Sequence, residues 1–143
     1  MVAESRIGLY DYVHDLLCEE VTKNVYRMSE PQELTKSDTK DGFIVITAGN
    51  IVDESEFLNQ AYGRVRVFVA AYVPLMSRGR LDKSKYSAME NAINTAINAE
   101  INNGTNATYS IQSDSILSMD DFVDTNANNA FSVFVKSFIV NID

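Results

Sequence analysis

The period of the hydrophobic pattern changes abruptly within residues 63–101. Residues 64–73 alternate in a period of two, which predicts a strand with two different faces. The odd positions form a valine-rich face, and the even positions carry Arg64, Arg66, Phe68, Ala70 and Tyr72. After Pro74 and a basic turn, apolar residues recur at helical spacing, at Tyr86, Met89, Ile93, Ile97 and Ile101. We therefore predict a strand followed by a helix that begins at Asp82 or Ser84 and ends at residues 102–104.

The remaining elements follow from the same pattern. An amphipathic stripe predicts a helix over residues 7–21, and short apolar stretches predict strands over 24–28 and 43–48. Gly49 and Asn50 indicate a turn or a bulge, and the polar segment 53–62 is interpreted as a flap or the far end of a long hairpin. Alternation predicts further strands over 107–117 and 130–142, separated by a loop over 118–129.

The predicted order of elements is α-β-β-β-α-β-β. Short connections between consecutive strands favour antiparallel pairing, and two helices separated by strands can cover one face of one sheet. We therefore expect a single α+β domain over residues 1–143, with one antiparallel β-sheet and two helices packed on one face. The other face would expose four aromatic side chains in a monomer, those of Phe68, Tyr72, Phe134 and Phe138. Such a patch typically marks an association surface, so we predict a homo-oligomer.

Charge is distributed unevenly along the chain. The net charge is −8 and the isoelectric point is about 4.6, which argues against sequence-independent binding of nucleic acid. Basic residues cluster in the turn before the second helix, at Arg78, Arg80, Lys83 and Lys85. Residues 86–135 contain no lysine or arginine, and their acidic residues include Asp114, Asp120, Asp121 and Asp124. The two blocks are either ordinary solvated surface or complementary faces of one assembly.

Candidate catalytic and metal-binding residues are few. His14, the only histidine, and Cys18, the only cysteine, lie four residues apart on the first helix. No glycine-rich elbow accompanies them, and this pattern favours a surface histidine and a buried thiol. The sequence has no phosphate-binding glycine motif and no second cluster of metal ligands. We predict no cofactor and no enzymatic activity, although Asp120 and Asp121 remain a candidate carboxylate pair for a hydrolase site in the 118–129 loop.

The first residues also bear on localisation. Residues 1–6 become polar at once, and no apolar run approaches the roughly 20 residues that span a membrane. We therefore expect a cytoplasmic protein without a signal peptide.

The order of elements resembles that of the tail-terminator, or tail-completion, proteins of long-tailed bacteriophages and prophages. The similarity covers nearly the whole chain and rests on the strands at Asp41–Ile46 and Arg64–Pro74 and on the alanine-isoleucine rhythm at Ala92–Ile97. The resemblance implies a structural protein without catalysis. Proteins of this family form a ring, commonly a hexamer, that caps the tail tube and joins it to the head, and the resemblance implies the same for this chain. The implied partners are tail-tube and head-connector proteins, with DNA only passing through the lumen, and the protein would be assembled into the virion within the bacterial host.

The physical pattern suggests how such a ring would hold together. An acidic balance suits a lumen through which DNA passes without binding. A head-to-tail contact closes into a ring when the rotation is right, and here it would bring the basic block against the acidic block of a neighbour. The face that carries Arg64, Arg66, Phe68 and Tyr72 would lie in the same interface. The alternative is a small α+β adaptor that holds a partner protein on its exposed apolar sheet face.

Overall fold

Three long strands form the centre of one mixed sheet in the computed structural model, which describes residues 2–27, 34–54, 63–119, 121–126 and 129–142. The helices are α1 (Val2–Glu20), α2 (Lys36–Asp41) and α3 (Lys83–Asn103), with a short 3₁₀ turn at Ser77–Gly79. The strands are β1 (Val25–Arg27), β2 (Phe43–Glu54), β3 (Gly63–Pro74), β4 (Tyr109–Ile111), β5 (Leu117–Ser118), β6 (Phe122–Asn126) and β7 (Asn129–Ile142).

The sheet is of the α+β type that was expected, but its strand pairing is not purely antiparallel. The strand order is β1-β2-β3-β7, and β4, β5 and β6 each pair with a different stretch of the outer edge of β7. β1 runs parallel to β2, with Val25 opposite Ile44. Parallel neighbours need a crossover connection instead of a tight turn. Part of the segment that joins β1 to β2 is the helix α2. The polar composition of residues 29–40 had instead predicted a loop there.

Helices α1 and α3 pack on one face of this sheet. The main core joins Leu9, Val13 and Leu17 of α1 and Met89, Ile93 and Ile97 of α3 to the valine-rich face of β3. The helical stripes and the valine face therefore pack as predicted. The prediction for two aromatic residues of β7 was wrong. Phe134 and Phe138 lie opposite Ala71 and Val67, so they point into the helix-covered core and are buried.

The opposite face of the sheet is partly closed as well. A second cluster buries Phe43, Val45, Phe131 and Val133, and Leu34 packs against it. Because this end of the face is buried within the monomer, the broad exposed aromatic patch that was expected there does not exist. Phe68 and Tyr72 are half-buried.

A network around the fully buried Asp38 holds α2 in place. The Asp38 carboxylate accepts hydrogen bonds from the Tyr26 hydroxyl (2.8 Å) and from the Thr35 backbone N–H (2.9 Å). The Thr35 hydroxyl in turn accepts from the Asp38 N–H at 3.2 Å, which completes a capping box. The bond from Tyr26 of β1 therefore ties α2 to the sheet, and the bonds between Thr35 and Asp38 fix the first turn of the helix.

The remaining boundaries differ in detail from the prediction. The register shift between Ala48 and Ile51 is the bulge that Gly49 and Asn50 indicated, and β2 and β3 form a hairpin whose connecting residues 55–62 lie outside the described part. The side chain of Asp82 caps α3 by accepting from the Lys85 N–H, as predicted. The strand expected over 107–117 is two short strands with a turn between them, and the loop expected over 118–129 contains β6.

None of the helices in the described residues is both long and apolar enough to cross a membrane.

Candidate association surface

Large exposed hydrophobic side chains of the described residues occur in only two segments. The first is the basic turn, residues 76–85, which exposes Met76 and Leu81 by 44% and 41%. The second is the edge segment, residues 117–119 and 121–123, in which four apolar side chains are 50–65% exposed. These four are Leu117, Met119, Phe122 and Val123. Apolar exposure in this part of the chain is therefore concentrated, which is typical of an association surface.

The two segments lie at one corner of the fold. Pro74 at the end of β3 is in register with Phe131 of β7, and Phe131 is in register with Asp124 of β6. Two strand spacings amount to about 10 Å, so the basic turn begins close to the edge segment. The Tyr86 hydroxyl in the first turns of α3 also donates to Asp121 Oδ2 at 2.6 Å. We call the two segments together the corner surface.

The basic turn has a defined backbone and free cations. The Met76 N–H donates to the Arg80 carbonyl at 2.7 Å, and the tip between them places Arg78 and Gly79 at φ values of 64° and 70°. Arg78, Arg80 and Lys83 are exposed and make no ion pair within the described residues. Lys85 differs, because its ammonium donates to the Lys40 carbonyl at 2.7 Å. The turn therefore presents positive charge beside its two exposed apolar side chains.

The edge segment is held to β7 by hydrogen bonds, although its apolar side chains are exposed. The Met119 N–H donates to the Val135 carbonyl at 2.9 Å, and the ammonium of the buried Lys136 donates to Ser118 Oγ at 2.7 Å. Lys136 also pairs with Glu90 of α3 at 2.9 Å. The apolar side chains of the edge segment are therefore displayed on a backbone that is tied to the body of the domain.

The electrostatic environment of Tyr86 fits its role as a hydrogen-bond donor at this corner. Burial raises the pKa of Tyr86 well above the ordinary tyrosine value, and the hydrogen bond to Asp121 and the nearby negative charges raise it further. The hydroxyl therefore keeps its proton and holds Asp121 beside the first turns of α3.

The structure brings together only part of the predicted interface. Arg78, Arg80, Lys83 and Lys85 lie in the same corner as Asp121. Asp114 is exposed in the turn between β4 and β5 and lines a cleft of about 540 Å³ with the last turns of α3. Because α3 has 21 residues, its two ends are about 30 Å apart. Asp120 and the side chain of Asp124 lie outside the described part.

The arginine-bearing face of β3 is engaged within the monomer. Arg64 and Arg66 donate to Gln112 Oε1 (3.3 Å) and Ser137 Oγ (3.0 Å), both on the β7 side of the strand. The ring of Tyr72 stacks on Phe43 with a centroid distance of 4.5 Å and an angle of 7°. Phe68 is half-buried on the same face. These residues therefore stabilise the sheet within the chain.

Sequence reasoning did not single out the exposed apolar residues of the corner surface. Met76, Leu81 and Leu117 were not singled out, and Phe122 was placed in the 118–129 loop, where only aspartates were candidate site residues. A signal was present, because a large apolar residue inside a polar, charged stretch has no helix or strand stripe to join.

Two of the residues considered for chemistry, His14 and Cys18, have separate surroundings on α1. His14 lies 3.4 Å from Asp15 on the surface of α1, and Cys18 is half-buried against the core. Within the described ranges, no three histidine, cysteine, aspartate or glutamate side chains converge in a way that would hold a metal ion. Comparison with known proteins adds no family: no protein-family model and no curated protein matches the chain.

Proposed function

We propose that the protein is a structural subunit of a phage-like particle, in the manner of tail terminators that form a ring on the tail tube and join it to the head. The observation that carries the proposal is the corner surface, which contains all the large exposed hydrophobic side chains of the described residues together with the basic residues of the turn and Asp121. A domain of this kind works by association, because those side chains lose contact with water only when a partner covers them.

The free energy that covering these side chains contributes to association is of a size that suits an assembly protein. Burying the exposed half of one large apolar side chain contributes about 1 kcal/mol, so six of them contribute about 6 kcal/mol per subunit. The loss of translational and rotational freedom on association costs about 4–15 kcal/mol. The corner surface therefore needs help from charge pairing or from further contacts elsewhere on the subunit, and in a ring such further contacts would join each copy to its neighbours.

The overall charge supports the same proposal. A net charge of −8 on each chain gives a ring of several copies a strongly negative field. Double-stranded DNA passing through such a ring is repelled from its wall instead of binding there.

The decisive experiment combines imaging with removal of the gene. Purified protein is examined by negative-stain electron microscopy and light scattering, and rings of several 16.0 kDa chains are expected. In the phage or prophage that encodes the chain, deletion of its gene is expected to leave heads and tails unjoined. Joined particles in the deletion lysate would refute the proposal. A monomer that acquires mass only with a partner protein would instead support the adaptor alternative.

A further inference from the structure

We propose that the corner surface is a self-complementary contact, through which two copies of this chain pair about a twofold axis. In this pair, the basic turn of each copy lies on the edge segment of the other. The inference goes beyond the proposed ring, because it names a different symmetry for the contact between the opposite charges.

The first argument is the composition of the corner surface. Both of its segments expose apolar side chains. The turn is mainly basic, with Arg78, Arg80 and Lys83 beside the single acid Asp82, and the edge segment carries the acid Asp121. A surface that contains both halves of a complementary pair fits a second copy of itself. One half-turn then forms two equivalent turn-to-edge contacts at once.

The second argument is distance. A chain of 143 residues has a radius near 19 Å, and the two neighbours in a sixfold ring touch points on a subunit that are roughly 30 Å apart. Pro74, two residues before the basic turn, lies about 10 Å from Asp124 of β6, and the hydroxyl of Tyr86, directly after the turn, donates to Asp121 of the edge segment. Two patches this close do not serve two different neighbours of a ring. They do serve a single neighbour related by a twofold axis.

The third argument concerns which groups are available for pairing. Arg80 and Lys83 are exposed and have no carboxylate partner among the described residues. Asp121 uses Oδ2 for the Tyr86 hydroxyl, which leaves Oδ1 to accept from the turn of another copy. The anchored backbone of the edge segment presents this acceptor without much further ordering.

The test is the mass of the assembly for two variants. Arg80→Glu/Lys83→Glu reverses charge in the basic turn. The control Lys23→Glu reverses a charge beside β1, at the opposite edge of the sheet from the strands β4, β5 and β6. At low salt, light scattering and sedimentation should show wild type and control with an even number of 16.0 kDa chains. The corner variant should have half that mass, with at least a tenfold weaker association that approaches wild type at 1 M salt.

Two further arms keep the proposal open to refutation. Arg80→Glu/Lys83→Glu mixed with Asp121→Arg should recover a one-to-one pair, because both turn-to-edge contacts regain opposite charges. If the charge variant does not fold, as judged by circular dichroism, Phe122→Ser carries the test and should also halve the mass. An odd number of wild-type chains, a monomeric wild type, an unchanged mass in the variants or an equal loss in the control would overturn the proposal.

The outcomes separate this contact from the proposed function. Rings whose mass is indifferent to the corner variants would refute the twofold contact and leave the tail-ring proposal standing. Pairs that depend on the corner surface, together with joined heads and tails in the gene deletion, would refute the tail-ring proposal alone.

Discussion

The buried ammonium of Lys136 makes the stability of the domain depend on a single glutamate. Lys136 lies on the helix-covered face of β7, and its side chain is only 9% exposed. Its ammonium is held by Glu90 of α3 at 2.9 Å and by Ser118 of β5 at 2.7 Å. Replacing Glu90 by alanine leaves the Lys136 ammonium buried and charged, with the neutral hydroxyl of Ser118 as its hydrogen-bond acceptor. We expect Glu90→Ala to be far more harmful than the exposure of Glu90 suggests.

The expected loss of stability in Glu90→Ala follows from the geometry of the ion pair. At 2.9 Å, the Coulomb attraction is about 6 kcal/mol with an effective dielectric constant of 20 and about 1.4 kcal/mol in water. Breaking a fully buried pair typically costs about 3–5 kcal/mol, because the remaining charge is uncompensated. The Glu90 side chain is 34% exposed, so solvent screening lowers the expected cost to about 2–3 kcal/mol.

A double-mutant cycle measured by urea denaturation tests this reasoning. Lys136→Met removes the charge but keeps most of the side-chain volume, so it should cost about 1 kcal/mol or less. Adding Lys136→Met to Glu90→Ala should then restore about 2 kcal/mol, because no buried charge remains. Glu19→Ala on the exposed face of α1 is the control and should change stability by no more than about 0.5 kcal/mol. If the two single costs simply add in the double mutant, the argument for an uncompensated ammonium is wrong.

Three further predictions concern stability. Gly42 has a φ of +90°, and a Cβ there would lie 2.5 Å from a backbone oxygen of β3, so Gly42→Ala should cost about 3 kcal/mol in denaturation. Gly79→Ala has a similar φ but nothing within 4 Å and should cost only about 1 kcal/mol; equal losses would contradict the steric argument. Asp38→Ala removes the buried acceptor of α2 and should cost about 2–4 kcal/mol, and a change below 1 kcal/mol would count against the network. Burial, reinforced by hydrogen bonds to carboxylates, raises the pKa values of Tyr12 and Tyr86 above the ordinary range. Their contribution to stability is therefore complete below about pH 10 and is lost as the pH rises further, so phenolate absorbance should appear together with loss of the circular dichroism signal. Ionisation of all seven tyrosines without unfolding would contradict this.

The elements that sequence reasoning predicted well are those whose signals are local. The alternation of β3 and the stripe of α3 each fix one buried face, and the caps at Asp82 and Gly104 mark the ends of α3 within two residues. The capping box of α2 was also visible as Thr35 followed three residues later by Asp38, but a helix of six residues has too short a stripe to be noticed.

The features that were missed depend on partners distant in sequence. Alternation correctly divided β7 into two faces, but it did not say which face meets the helices. That choice follows from the register in which Phe138 lies opposite Val67. The parallel pairing of β1 and the strand character of β6 likewise follow from their neighbours in the sheet. The corner surface combines two segments that a hydrogen bond between positions 35 apart, Tyr86 and Asp121, brings together. A local pattern could mark the exposed apolar residues of each segment, but not their proximity.

The central position of β7 has a consequence for how the domain is made. β7 is synthesised after every other strand, yet it is hydrogen-bonded along both edges and pairs with residues 71 positions earlier in the chain. Until β7 emerges from the ribosome, the edge of β3 that pairs with β7 has no hydrogen-bonding partner. The valine side chains of β3 also lack the neighbours that β7 provides in the core. Between the synthesis of β3 and that of β7, nascent chains would therefore present an open, apolar strand edge, and such edges recruit other chains. Chaperones that cover this edge should therefore increase the yield of soluble protein.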